Sequence, residues 1–280
     1  MTYRGTRREM RLHSLHDATL SLIDGAIATL SSCHDDEAVH IARKAAKRIR
    51  AGLRLMRECL GTAAYHRENR RVRDAAKPLT AVRDAFILRR ILRKMPNRSA
   101  PVERGLKFEY ERERQAFGRR GLQDALTGLR ATRQHLRELR PIAPEAVSAV
   151  EAVGDTYRAG RKALVRAKSN DDQALHEWRK QAQYLLNQLE LLRAVFGLDV
   201  KSLRRRADKL AAILGDDHDL SVLAAKLRRY DATTPRLIKH IEKLRRDLQR
   251  RAAKQGKKVY RHSAKHIKAT IAARFVKLSA

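Results

Sequence analysis

The chain has 280 residues, 63 of them lysine or arginine against 31 aspartate or glutamate, giving a net charge of +32 and a pI near 11.1. With 43% apolar residues it can build a real core, which excludes a largely disordered chain, and its length predicts about one to two domains. The charge points to a polyanionic partner, and a 5% aromatic content argues against one held by base stacking.

Alanine, leucine, arginine and glutamate dominate, and β-branched runs are missing, so the periodicity is helical almost throughout and predicts an all-α fold. Breaks fall at "SSCHDDE", at "GTAA" from residue 61, "PNRSAP" at 96–101, "PIAP" at 141–144, "SNDD" at 169–172, "GLDV" at 197–200 and "TTP" at 233–235, leaving eight helical segments. Asp35 and Asp36, Asn170 to Asp172, and Thr234 before Pro235 are the predicted starts. The N-terminus "MTYRGTRREMRLHSLHD" offers no apolar core for a signal peptide, and no apolar run is long enough for a membrane span. Cys33 and Cys59 do not form a C-x-x-C pair, so the expectation is a soluble cytoplasmic chain with reduced thiols.

The second segment carries the strongest signal. "AVHIARKAAKRIRAGLRLMR", residues 38–57, holds seven cations and no acid, where a solvated helix would mix both signs. At about 100° per residue, Val39, Ile41, Ala42, Ala45, Ala46, Ile49, Leu53, Met56 and Leu60 form the expected buried arc. Arg43, Lys44, Lys47 and Arg54 gather around the direction of His40, with Arg48 and Arg50 at the edges of that face. Guanidinium forks, mobile ammonium groups and an imidazole together suit phosphate oxygens. In the third segment Arg70, Arg73 and Lys77 recur on one side at i, i+3 and i+7, and Pro78 should kink the helix.

The fourth segment contains "FEYERERQ", whose Glu109, Glu111 and Glu113 are similar to the E-x-E-x-K motif of the CYTH tunnel phosphatases but lack the lysine. In a helix these glutamates read as a solvated face. The central "PIAP" divides the chain into two halves of four segments each, and one stretch of each half aligns with the other without a gap. "DEAVHIARKAAKRIRAGLRLM" lies over "DQALHEWRKQAQYLLNQLELL", matching His40 with His176, Arg43 with Arg179 and Lys44 with Lys180. Later, "LTAVRDAFIL" with Arg83-Asp84 answers "LGDDHDLSVL" with His218-Asp219. Two homologous four-helix units, residues 1–140 and 141–280, are the simplest reading.

The second copy is poorer in charge. Gln183, Tyr184, Leu186 and Glu190 stand where the first has Lys47, Arg48, Arg50 and Arg54, so binding is expected to lean on the first half. Arg205 and Lys209 take places comparable to the third-segment cations. "GDDHD" at 215–219 reads as an ordinary break between helical segments, with a cation bridging Asp216, Asp217 or Asp219 to phosphate as the minor alternative. His262 and His266 have i, i+4 metal spacing but no nearby carboxylate and many lysine neighbours, which argues against zinc. No nucleophile motif or phosphate-cradling glycine loop occurs, so no enzyme, cofactor or resident metal is expected. The basic C-terminal segment carries apolar residues at helical spacing, better used to close the second unit than to lie on a membrane.

The H-x-x-R-K-x-x-K-R-[IL]-R pattern, its repeat in "LHEWRKQ", and the accompanying "RDAAKPLTAVRDAFIL" and "LAAILGDDHDLSVL" resemble the CHAD family, the conserved histidine α-helical domain, over roughly residues 10 to 275. The resemblance implies two four-helix bundles related by approximate two-fold symmetry, with a basic groove or pore between them that binds inorganic polyphosphate. Carried over by position, the family's basic motif falls on His40, Arg43, Lys44, Lys47, Arg48 and Arg50, and on His176, Arg179 and Lys180. Association with polyphosphate granules is implied by the family only. The rival reading is a basic helical nucleic-acid binder, since the phosphate term is common to both polymers, and weak nucleic-acid affinity is expected in either case. Against it stands the absence of any helix-turn-helix, zinc-finger or RNA-recognition signature.

Overall fold

In the computed structural model, residues 14–139, 144–167, 171–232 and 234–279 are described, and every regular element among them is a helix. The first half comprises α1 (Leu15–Ser32), α2 (Asp36–Leu55), the single turn α3 (Arg57–Leu60), α4 (Thr62–Ala75), α5 (Lys77–Leu92), α6 (Ala100–Ala116) and α7 (Leu122–Glu138). A π-helical turn, Phe117–Gly121, joins α6 to α7 without a break. The second half comprises α8 (Glu145–Arg166), α9 (Asp172–Phe196), α10 (Lys201–Leu227), α11 (Pro235–Val259) and α12 (Ala264–Ser279).

Several helix starts are the expected ones. The carboxylates of Asp35 and Asp171 accept from the backbone N–H of Ala38 and Ala174 at 2.7 and 2.9 Å, and Thr234 Oγ1 accepts from Leu237 N–H at 3.3 Å. Gly197 closes α9 in the left-handed region, φ 65°, which glycine adopts without a Cβ clash. The expected breaks at 141–143, 169–170 and 233 lie outside the described residues.

Eight segments become more because three of them are interrupted. Ala76 separates α4 from α5, and Pro78, at the first turn of α5, has no N–H to donate to the Asp74 carbonyl, so the expected kink is a boundary. Met56 cuts α3 from the end of the second segment, ahead of the expected break at Gly61, and Tyr260–Ser263 divides α11 from α12. Packing nevertheless follows one order in both halves. The first helix lies on the second (α1 on α2, α8 on α9), the second on the third (α2 on α4 and α5, α9 on α10), and the last on the first (α7 on α1, α12 on α8).

Two apolar clusters form, and each draws on both halves. The larger includes Leu15, Val39, Ile49, Leu79, Val82, Trp178, Leu185, Leu210 and Ile213. The smaller includes Leu88, Leu92, Leu106, Leu220, Leu223, Leu237 and Ile241. α5 and α10 each run from one cluster to the other. The polar stretches between, Arg83–Asp84 on α5 and Gly215–Asp219 on α10, therefore sit in a layer with hydrocarbon at either end.

Candidate phosphate-binding site

α2 is amphipathic in the expected sense, with Val39, Ala42, Ala46, Ile49, Leu53 and Met56 buried. Ile41 departs from the expected arc and is 44% exposed. Ala51 and Leu55, on the basic side of the helical wheel, are buried instead, because α8 and α9 cross α2 there. The C-terminal part of the basic stripe thus lies in an interface.

Along its N-terminal part, cations from three helices converge, beside His218 and Asp219 of a fourth, α10. The Arg43 guanidinium of α2 reaches α5, donating from Nε to Thr80 Oγ1 and from Nη2 to Asp84 Oδ1, each at 3.4 Å. Arg83 of α5 donates from Nε to His40 Nδ1 at 3.3 Å, while its Nη1 is buried without a partner. Burial, reinforced by Arg43 and then Arg179, pushes the Lys47 ammonium down to about 7. Arg179 of α9 is itself lowered by burial and by Arg43, with Asp219 and Asp84 opposing. The His176 and His218 rings lie 5.1 Å apart. Burial first, then Arg179, His176 and Arg43, push His218 down to about 4, so this ring is neutral at pH 7. His40 and His176 are lowered for the same reasons, burial ahead of neighbouring cations. Asp219 is raised by burial, although Arg179 pulls the other way. Four cationic side chains, Arg43, Lys47, Arg83 and Arg179, thus share a partly dehydrated layer in which, among the described residues, Asp84 and Asp219 are the opposing acids. The charge that would relieve this layer is negative.

The remaining basic residues of the first motif are distributed around it. Lys44 is exposed and adds to the positive field at His40. Arg48 donates to Glu190 of α9 at 3.3 Å, and the Arg54 guanidinium stacks 3.8 Å from the Tyr184 ring centroid. Since Tyr184 and Glu190 occupy the places of Arg48 and Arg54 in the second copy, these contacts are crosswise between matched positions. Arg50 turns to α4, donating to Asn69 Oδ1 at 2.9 Å.

Other sequence candidates have separate surroundings. Lys180 pairs with Glu177 at 2.6 Å. Arg70 lines a cavity between α4 and α7 with His66, Arg67 and Asp124, while Arg73 and Lys77 are bound to Asp74 at 3.2 and 2.9 Å. Arg205 and Lys209 are exposed on α10 and enter no contact with the cluster among the described residues. Arg83 and His218 belong to the cluster but are not among the sequence-derived site residues. Their signal was the second repeat pair, in which Arg83-Asp84 answers His218-Asp219.

Two segment readings change. "GDDHD" is no break, since α10 runs through it. Asp217 is buried and accepts from Arg245 at 3.2 Å and Gln249 at 3.1 Å, whereas Asp216 is exposed. Glu109 is not simply solvated, because it accepts from Tyr230 at 2.9 Å and pairs with Lys226, tying α6 to α10. Glu111 is exposed and faces Lys107, and Glu113 accepts from Arg112. Cys33 is exposed and Cys59 buried, both as free thiols. Among the described residues no group of three metal-ligating side chains comes together, and no helix is long and apolar enough to cross a membrane.

No curated protein matches the chain. A solved structure of the CHAD domain from the plant Ricinus communis is similar in fold, with a TM-score of 0.56 over 95% of this chain and 91% of that one at 17% identity. The CHAD domain pattern itself matches residues 21–228, which span both copies of the basic motif and the four helices that carry the cluster, and the chain therefore belongs to the CHAD family.

Proposed function

We propose that the chain binds inorganic polyphosphate in the layer where α2 and α5 of residues 1–140 face α9 and α10 of residues 141–280. The observation that carries this reading is the Lys47 ammonium, lowered to about 7 by burial and by Arg43 and Arg179, one from each half. Such crowding opposes folding unless a polyanion neutralises it. A thin flexible chain with one charge per phosphate can enter a layer flanked by apolar cores, and it asks for no stacking surface. The crosswise contacts of Arg48 with Glu190 and Arg54 with Tyr184 favour an approximate two-fold relation between the halves, with the ligand path running between them. The chain acts as a binder, with no catalytic step, and association with polyphosphate granules follows from that affinity.

The test is a titration with long-chain polyphosphate, DNA and RNA from about 50 to about 500 mM salt. Several phosphate contacts give a slope of log affinity against log salt steeper than a single contact allows. Polyphosphate should displace DNA at much the lower phosphate concentration. A flat salt response, or displacement in the opposite order, would replace this reading with non-specific nucleic-acid binding.

A further inference from the structure

Away from this layer, the corner between α11 and α12 closes over the start of α10 and leaves a cavity of about 250 Å³. Arg206 of α10, Arg261 and His262 of the corner, and His266 and Arg274 of α12 line it, and Asp199 is the one carboxylate among its lining residues. The corner is held from below. Tyr157 Oη donates to the Val259 carbonyl at 3.0 Å and accepts from His262 N–H at 3.2 Å, while Arg161 of α8 donates to the His262 carbonyl at 3.4 Å.

Among the described residues none of Arg206, Arg261 and Arg274 is paired with a carboxylate, and Arg206 Nε is buried without a hydrogen-bond partner. The imidazoles of His262 and His266 stack with centroids 4.4 Å apart and planes 21° from parallel. His262 Nε2 accepts from Arg261 Nε at 2.7 Å, so that nitrogen carries no proton. Desolvation first, then Arg261, His266 and Arg206, lower the His262 imidazole from its ordinary value. The first turns of α10 and α12 also border the cavity and add the partial positive charge of their N-termini.

We propose that this cavity is a second oxyanion site, taking a phosphate group of charge about −2 on Arg206, Arg261 and Arg274, with His262 in its wall gaining a proton when the anion enters. It is separate from the layer of Lys47 and Arg179 and suits a single phosphate or diphosphate group, supplied by a free small phosphate or by the end of a polyphosphate chain. The anion offsets the fields of Arg206, Arg161, Arg261 and Arg274 at His262, with Asp199 the carboxylate lining the cavity. Binding therefore tightens as pH falls from about 7.5 to about 6.

The experiment follows the imidazole NMR signals of the full chain during titration with pyrophosphate, and with polyphosphate bearing free or blocked ends. The His262 signal should move toward its protonated position at neutral pH, in the wild type and equally in the K47Q/R179Q variant. Movement with pyrophosphate identifies a free small phosphate as ligand, and movement confined to free-ended polyphosphate identifies the chain terminus. The R206Q/R274Q variant should need at least about tenfold more ligand for the same change, the loss expected for charge-assisted hydrogen bonds. A His262 signal unmoved by any of these ligands, or an R206Q/R274Q titration superposable on wild type, would overturn the proposal. If that variant does not fold, the wild-type ring signals decide the matter alone.

Discussion

Lys47 shows what one residue does in this setting. Its ordinary value of 10.5 holds in the unfolded chain, whereas in the fold it is about 7. Between those values the unfolded chain holds the proton that the folded chain has lost, so unfolding takes up a proton and stability rises with pH across the window. Below about pH 7 both states are charged, and the fold carries the full repulsion. Lys47→Met should therefore raise the apo melting temperature at pH 6 by several degrees, and should do so less at pH 9, while weakening polyphosphate binding about tenfold. A thermal scan by circular dichroism at the two pH values, with calorimetric titration, measures both. The same group should draw in a proton when polyphosphate binds at pH 8, seen as a dependence of the heat on the buffer's ionisation enthalpy. An unchanged apo melting temperature would show that Lys47 is better hydrated than its neighbours allow.

Among elements, α11 meets the Trp178 side chain of α9 at a glycine. Gly256 lies against the Trp178 ring, and a methyl group placed on it would overlap the ring and touch Leu164. Trp178 is 2% exposed and the chain's only tryptophan, so this contact can be read by fluorescence. Gly256→Ala gains helix propensity but forces the indole to shift in a packed core, with a net cost of about 1–3 kcal/mol. Urea unfolding followed by tryptophan emission should show a lower midpoint and an altered native spectrum; a stabilised variant would mean that α11 can slide. The α2–α9 contact illustrates what the sequence alignment conveyed and what it withheld. It showed that Tyr184 and Glu190 stand in the places of two arginines, which reads as lost charge. Across the contact those same residues receive Arg54 and Arg48, so the departures serve the interface, and only the placement of two distant helices could reveal it.

For the whole molecule the governing quantity is the excess of cations. Folding gathers Arg43, Lys47, Arg83 and Arg179 into one layer, and the unfolded chain spreads them apart. A ligand bound only to the folded form adds about 2.7 kcal/mol at one hundred times Kd. Polyphosphate should accordingly raise the melting temperature by several degrees at low salt, and salt alone should raise it partially by screening. Duplex DNA at equal phosphate concentration should raise it less, being too stiff to enter a layer between two cores. Differential scanning calorimetry of the three conditions gives the order, and greater stabilisation by DNA would favour the nucleic-acid alternative.

The all-helical class, the duplicated basic motif and the amphipathic α2 were legible in the sequence, because they depend on periodicity and on local charge, which act over one or two turns of helix. Asp35, Asp171 and Thr234 could be read as caps for the same reason, since a cap bonds to a backbone N–H only three residues away. The interruption near Pro78 was equally local, although it is a boundary at Ala76 rather than the expected kink. The exposure of Ile41, the burial of Ala51 and Leu55, and the continuity of α10 through "GDDHD" were not legible, because each depends on which helix crosses at that point. The pairing of Arg83 with His40, and the depression of Lys47 by Arg179, bring together residues 43 and 132 positions apart in the chain. Desolvation and Coulomb interaction act through space over a few ångströms, so the composition set the sign of the molecule's charge and the tertiary structure alone decided where that charge would be dehydrated and concentrated.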